Sequence, residues 1–319
     1  MLCLSVAVLC GAAIAYPVDR PEKPERDWVA LPQVAPKSNI VVAESIDDSM
    51  IEVASYDELD RTLEAVDFDL KPVRRGSARV PRFFVEDLPD DFDARMVVSE
   101  RKQLFVSTVL PLILKANEEV MDERRRLIAI EEQISSGRDI ADDDQGWLDD
   151  LAEKYRTAPN DFPTLLRRVD AVSPSLALAQ SIEESGWGRS RFARLGNALF
   201  GQRAWSKGSG FVPKKRGAGE SFEVRAFDTL LDSVRSYVLN LNRHNAYDDY
   251  RAVRAQMRAR ETELNGKKLA ETLIKYSERR GAYVETLQKL IASNRLQNFE
   301  SARLETEPVE ISPTQLAAR

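Results

Sequence analysis

The chain has 319 residues, 43% of them hydrophobic and 31% charged, enough to bury a sizeable core in one large domain or two small ones. A formal net charge of -6 leaves no basic footprint and sets nucleic acid aside as a partner. Leu, Ala, Glu and Arg run through the second half and β-branched stretches are short, so a mainly α fold is expected.

In chain order, "MLCLSVAVLCGAAIAYPVDR" comes first. Its uncharged apolar run closes on Ala13-Ile14-Ala15, the small-x-small pattern of a signal-peptidase site, and Pro17 and Pro21 follow in a polar stretch. Residues 1–15 are therefore expected to be a signal peptide, and the protein to be exported to the periplasm. The run lacks a basic leading region, which leaves a short N-terminal membrane anchor, or a start further upstream, as the other readings. The two cysteines, Cys3 and Cys10, both lie inside this run, so a chain cut after Ala15 has no thiol for a disulfide or a nucleophile. His244 is the single histidine, which excludes a zinc site built on two or three histidines. Carboxylates are left as the leading acid–base groups.

Residues 16–91 alternate Pro-containing polar stretches with short apolar pieces such as "NIVVAES" and "RFFVED". They read as an extended or linker segment carrying a few short elements that pack onto the domain. From Ser99, "ERKQLFVSTVLPLILKANEEVMDERRRLIAIEEQI" has apolar positions at three-to-four spacing, which predicts a long helix with a kink or break at Pro111. "DDDQGWLDDLAEKYR" predicts a second helix with Trp147, Leu148, Leu151 and Tyr155 on one face. A third opens with Ser173 as N-cap and Pro174 at the first helical position, and stops at Gly186. Residues 196–227, rich in Gly, Lys, Arg and aromatics, predict a small β lobe beside a cleft. Helical pattern returns with Leu231, Val234, Val238 and Leu241, then Leu269, Leu273 and Tyr276, then Val284, Leu287 and Ile291. Residues 297–319 read as a polar tail.

The third helix ends in two acids, Glu183 and Glu184. At 100° per residue Leu178 and Ile182 define its apolar stripe, and Glu184 falls nearly opposite with Ala177 and Gln180. That face is either solvent or cleft, and periodicity does not choose. The negative end of the helix dipole disfavours an ionised carboxylate there, and a nearby indole, Trp187, would desolvate it. Both effects favour a protonated Glu near neutral pH, as a general acid requires. The competing reading is an ordinary solvated helix edge.

The stretch "AQSIEESGWGRSRFARLGNALFG" resembles the signature of peptidoglycan N-acetylglucosaminidases of glycoside hydrolase family 73, and the chain is similar to their Bax-type exported members. The likeness also takes in "FVSTVLPLILKANEEV", "RVDAVSPSLALAQ", "GFVPKKRGAGESFEVRAFDTLLDSVRSYVLNLNRHNAYDDYR" and "YSERRGAYVETL". It implies a lysozyme-like helical domain over residues 92–296, α+β with the small β lobe flanking the active-site cleft. It makes Glu184 the catalytic acid, with Glu183 as its neighbour. The second carboxylate falls on Glu223 in "ESFEVRAF", with Glu220 as the fallback, although Phe222 stands where the Bax-type pattern has a polar or imidazole side chain. A family tyrosine falls on Tyr276, in a stripe with Leu269 and Leu273 that core packing also explains. Where flagellar relatives have a Thr-Asp-Pro-like turn, this chain has Ser277-Glu278-Arg279-Arg280. Trp187, Asn197 and Phe200 are expected to shape the wall that meets substrate, an aromatic face suiting a pyranose and Asn197 an N-acetyl or hydroxyl group.

The resemblance thus implies an endo-β-N-acetylglucosaminidase that cleaves the β-1,4 bond after N-acetylglucosamine in peptidoglycan. No metal, cofactor or nucleotide is implied, and a monomer is expected. Two rivals remain: a lytic transglycosylase of the same fold, and a glycan-binding or scaffold protein without turnover.

Overall fold

The computed structural model describes residues 50–93, 97–204, 208, 210–212 and 223–308. The expectations on residues 1–15 and on Glu220 lie outside the described residues.

The described chain opens with strand β1 (Met50–Ile51), helices α1 (Tyr56–Ala65) and α2 (Leu70–Arg74), and strands β2 (Val80–Arg82) and β3 (Phe84–Val85). Ser55 caps α1 by accepting from the Glu58 N–H at 3.2 Å, and Asp69 caps α2 through the Lys71 N–H at 2.8 Å. An extended or linker segment with a few short elements packing onto the domain was expected here. Within residues 50–93, Tyr56, Leu59, Leu63, Val73, Val80, Phe83, Phe84, Val85, Leu88 and Phe92 are all buried and belong to the main core. Pro residues break the apolar run into pieces too short for periodicity to register, yet each piece delivers large side chains inward.

Helix α3 (Val98–Ser135) is 38 residues long and runs through Pro111 as one element. Its buried residues come from all sides between Leu104 and Leu114, which marks a helix enclosed by the core rather than lying on it. Helix α4 (Asp142–Tyr155) buries Leu148, Leu151 and Tyr155, while Trp147 lies half-buried under the Arg126 guanidinium, 4.4 Å from the ring centre. Helix α5 (Phe162–Arg168) leads into α6 (Pro174–Ser185), where Ser173 caps as expected, accepting from the Leu176 N–H at 3.2 Å. Next come α7 (Arg191–Gly196) and the lobe strands β4 (Arg203–Ala204), β5 (Gly210–Phe211) and β6 (Glu223–Arg225), an antiparallel sheet in the order β4-β6-β5. Built onto Gly210, a Cβ would meet the Val224 carbonyl oxygen at 1.9 Å, so the β5–β6 approach admits only glycine there.

Helices α8 (Leu230–Arg243), α9 (Asp248–Ala259), α10 (Gly266–Ala270) and α11 (Gly281–Ser293) follow, then strand β7 (Leu304–Pro308). Hydropathy does not reveal α9, because its buried face is Tyr250, Arg251 and Arg254. Leu273 and Tyr276 stand in turns beyond the short α10, not in the longer helix that their spacing predicts. Nor is residue 297 the start of a loose tail: Phe299, Ala302 and Leu304 are buried, and β7 pairs in parallel with β2. The fold is mainly α with small sheets, and α6 sits at its centre against α3, α10 and α11.

Candidate active site

Small side chains make α6 possible. Ten of its twelve residues are buried, and Ala177, Ala179, Ser175 and Ser181 let neighbouring helices approach on every side. The face opposite Leu178 and Ile182 is therefore interior, which decides the question that periodicity left open. At its N-terminus Glu300 accepts from Ser173 Oγ at 2.8 Å, from Ser175 Oγ, and from the Gly266 N–H at 2.9 Å. A Cβ on Gly266 would lie 2.1 Å from Ser175 Oγ, so glycine is required at this crossing.

The loop before α6 is pinned by charge. Asp170 is buried and takes Arg258 at 2.8 Å, with Arg254 Nε 3.6 Å away. Arg254 also donates to the Asp170 and Ala171 carbonyls at 3.0 and 3.1 Å, and to the Asn242 side chain at 2.6 Å. Burial pushes the Asp170 carboxyl up, but Arg254, Arg258 and Arg124 outweigh it and hold it below the usual carboxylate range.

At the other end, three successive residues are left-handed: Gly186 (φ 60), Trp187 (φ 62) and Gly188 (φ 76). Ser185 Oγ accepts from the Gly188 N–H at 2.9 Å and locks the turn. A side chain on Gly188 would meet Phe92 at 2.9 Å, so this turn rests directly on the N-terminal segment. A non-glycine residue in this region costs on the order of 1 kcal/mol or more, and packing holds it there. The Trp187 ring meets Phe105 of α3 edge-on at 5.9 Å, with Lys102 Nζ 4.7 Å from its centre. It thus anchors the helix end to α3.

The turn separates the two acids. Glu183 is half-buried and paired with Arg279. The Glu184 carboxylate faces inward: Tyr283 Oη donates to its Oε1 at 2.9 Å, and a Cβ on Gly201 would stand 3.3 Å from its Oε2. Burial raises the Glu184 pKa; the Tyr283 hydrogen bond opposes this, Glu183 adds to it, and Arg279 opposes it.

Tyr276 stacks on Tyr283, centres 5.6 Å apart and planes 3° from parallel, and its hydroxyl donates to the Phe200 carbonyl at 3.3 Å. Gly201 follows at φ 59, bringing bare backbone past Glu184. Glu184, Tyr276 and the Phe200 backbone therefore converge, as does Tyr283, which sequence reasoning did not single out. The Phe200 ring points elsewhere, buried and stacked on Tyr237 at 3.9 Å. Asn197 is buried at the left-handed end of α7, donating to Asp87 and to the Asp228 carbonyl at 2.9 Å. It ties the lobe's entrance to the N-terminal segment.

Glu223 is buried on β6, and its carboxylate accepts from the Gly208 N–H at 3.0 Å and the Gly210 N–H at 3.0 Å. These bonds fasten the turn between β4 and β5. A signal for Tyr283 was present in the sequence: Gln180 is a long polar side chain among small and apolar ones in the middle of α6, and a buried amide requires partners. Those partners are Tyr237 and Tyr283, at 2.8 and 3.0 Å. Among the described residues, no group of three or more His, Cys, Asp or Glu side chains could hold a metal ion.

A mainly helical domain with a small β lobe, and an inward-facing glutamate closing its central helix, fits the lysozyme-like class. Comparison with known proteins narrows this. The family described as mannosyl-glycoprotein endo-beta-N-acetylglucosaminidase matches residues 162–296. Protein bax of Escherichia coli strain K12 is 31% identical over 207 residues, covering 61% of this chain and 72% of that protein. No solved structure matches significantly. The chain belongs to the Bax-type glucosaminidase-domain proteins.

Proposed function

We propose that the protein is a glycoside hydrolase that cleaves the β-1,4 bond after N-acetylglucosamine in peptidoglycan glycan strands. The observation that carries this reading is the inward-facing Glu184, raised by burial and held through Oε1. Among the described residues Oε2 has no hydrogen-bond partner, which suits a group that must meet a glycosidic oxygen.

In this mechanism Glu184 protonates the leaving oxygen as the C1–O bond breaks. The substrate's acetamido oxygen closes on C1, and water then opens that ring, returning its proton to Glu184. Tyr276 stands beside Tyr283 where charge develops at the sugar. Glu223 holds the lobe that covers the substrate, since its carboxylate is engaged by two backbone N–H groups. Trp187, Asn197 and Phe200 shape the site by fixing its backbone, through the contacts described above.

Digestion of purified sacculi followed by mass spectrometry tests the reading. New reducing N-acetylglucosamine ends are expected. Anhydromuramic ends would identify a lytic transglycosylase, and no new ends a binding protein; either result overturns the proposal. We further propose that the protein acts in the periplasm after removal of residues 1–15. Fractionation with N-terminal sequencing should find a mature chain beginning near Tyr16, and an intact cytosolic chain would oppose it.

A further inference from the structure

Three buried side chains behind Glu184 form a directed chain of hydrogen bonds. Tyr237 Oη on α8 donates to Gln180 Oε1 at 2.8 Å. Gln180 Nε2 on α6 donates to Tyr283 Oη at 3.0 Å, and Tyr283 on α11 donates to Glu184 Oε1 at 2.9 Å. Tyr237, Gln180 and Tyr283 are each no more than 1% exposed. The amide sets the direction: its oxygen only accepts and its nitrogen only donates. With the amide N–H directed at the Tyr283 oxygen, the single Tyr283 proton is left for Glu184.

We infer that Tyr283, at the end of this relay, is a positioning residue that holds Glu184 Oε1 and assigns the transferable proton to Oε2, on the Gly201 side. The inference rests on the proposed role of Glu184. A proton on Oε1 would face the Tyr283 hydroxyl donor, whereas one on Oε2 faces the bare backbone at Gly201. The relay joins α8, α6 and α11, so the acid is oriented by three helices rather than by the turn that follows it. The other charged or titratable groups facing Glu184 are Glu183 on α6, and Tyr276 and Arg279 between α10 and α11. Arg279 pairs with Glu183, and the Tyr276 hydroxyl goes to the Phe200 carbonyl, so neither takes the place of Tyr283 at Oε1.

The test uses the full chain with Tyr283→Phe, which keeps the ring stacked on Tyr276 and removes only the hydroxyl. The titration of the Glu184 carboxyl is followed by 13C NMR, with Glu184→Gln to assign the signal, and the pH profile of sacculus cleavage is measured beside it. Losing a bond donated to the ionised carboxylate should raise the titration midpoint by about one pH unit. The alkaline limb of kcat/KM should move up equally, with kcat lowered about tenfold and KM nearly unchanged. Tyr237→Phe should act in the same direction by a smaller amount, and it decides the matter if Tyr283→Phe does not fold. An unmoved midpoint in a folded variant would reduce Tyr283 to a packing ring and overturn the inference. Should the wild-type protein leave sacculi intact, the proposed function falls, while the NMR midpoint still decides the relay.

Discussion

Glu183 and Glu184 have the same side chain and neighbouring positions, and their surroundings divide them. Both are half-buried, but Glu183 stands at the edge with Arg279 beside it, whereas Glu184 turns inward to a tyrosine hydroxyl. Glu184→Gln should therefore lower cleavage of sacculi by about a thousandfold while leaving the melting temperature close to wild type, since the amide keeps the shape and loses the proton. Glu183→Gln should stay within about threefold of wild type; the reverse pattern would shift the acid by one residue. Because burial raises the Glu184 pKa, the acid stays protonated to higher pH than an ordinary glutamate. Activity should fall on the alkaline side as it ionises, and Glu184 should define that limb. Gly201 gives a second handle on the same atom. Gly201→Ala places a methyl 3.3 Å from Glu184 Oε2 at a φ of 59, so about tenfold lower kcat and about 1 kcal/mol of lost stability in urea are expected.

At the scale of elements, two carboxylates organise the loops around α6 and the lobe. Asp170 neutralises Arg254, a fully buried guanidinium, and Arg258. Asp170→Asn leaves that positive charge without its partner, and a loss of about 3 kcal/mol in denaturant unfolding is expected. The sign with pH follows from the depressed folded pKa. The stabilisation is fully present above the ordinary aspartate value and is lost as pH falls through the folded one. Wild type and Asp170→Asn should therefore converge in stability only in strong acid. In the lobe, Glu223→Gln weakens the acceptor for Gly208 and Gly210. Faster amide exchange at those two glycines and about tenfold lower activity are expected. Abolished activity with unchanged exchange would instead place Glu223 in the chemistry.

Over the whole molecule, the ends of the described chain complete the core around the helices. Phe92 and Leu88 support the turn at Gly188, β7 pairs with β2, and Glu300 accepts from Ser173, the N-cap of α6. Truncation after Phe299 removes both the acceptor of the Ser173 hydroxyl and β7. The melting temperature should drop by on the order of 10 °C, with cleavage lost in parallel, because α6 carries the proposed acid at its far end. Among the described residues no helix is long and apolar enough to cross a membrane.

The elements with strong local signals were legible in the sequence: α3 from its apolar spacing, α6 from Ser173, Pro174 and Gly186, and the lobe from its glycines. The motif around Glu184 marked it as the candidate acid. Helix α9 was not legible, because its buried side is Tyr250 with Arg251 and Arg254, and Arg254 finds its partners 84 and 87 residues away. Short packing elements before residue 91 were expected, but not which side chains they deliver to the core, because short apolar pieces carry no period until the core receives them. Periodicity left the Glu184 face open, since an angle on a helical wheel does not say what stands opposite. Only the tertiary structure decided it, by bringing Tyr283 from 99 residues away to Oε1 and Gly201 to Oε2. Local sequence determines where a helix begins and ends; whether its last carboxylate meets water or a buried hydroxyl depends on contacts that no local pattern encodes.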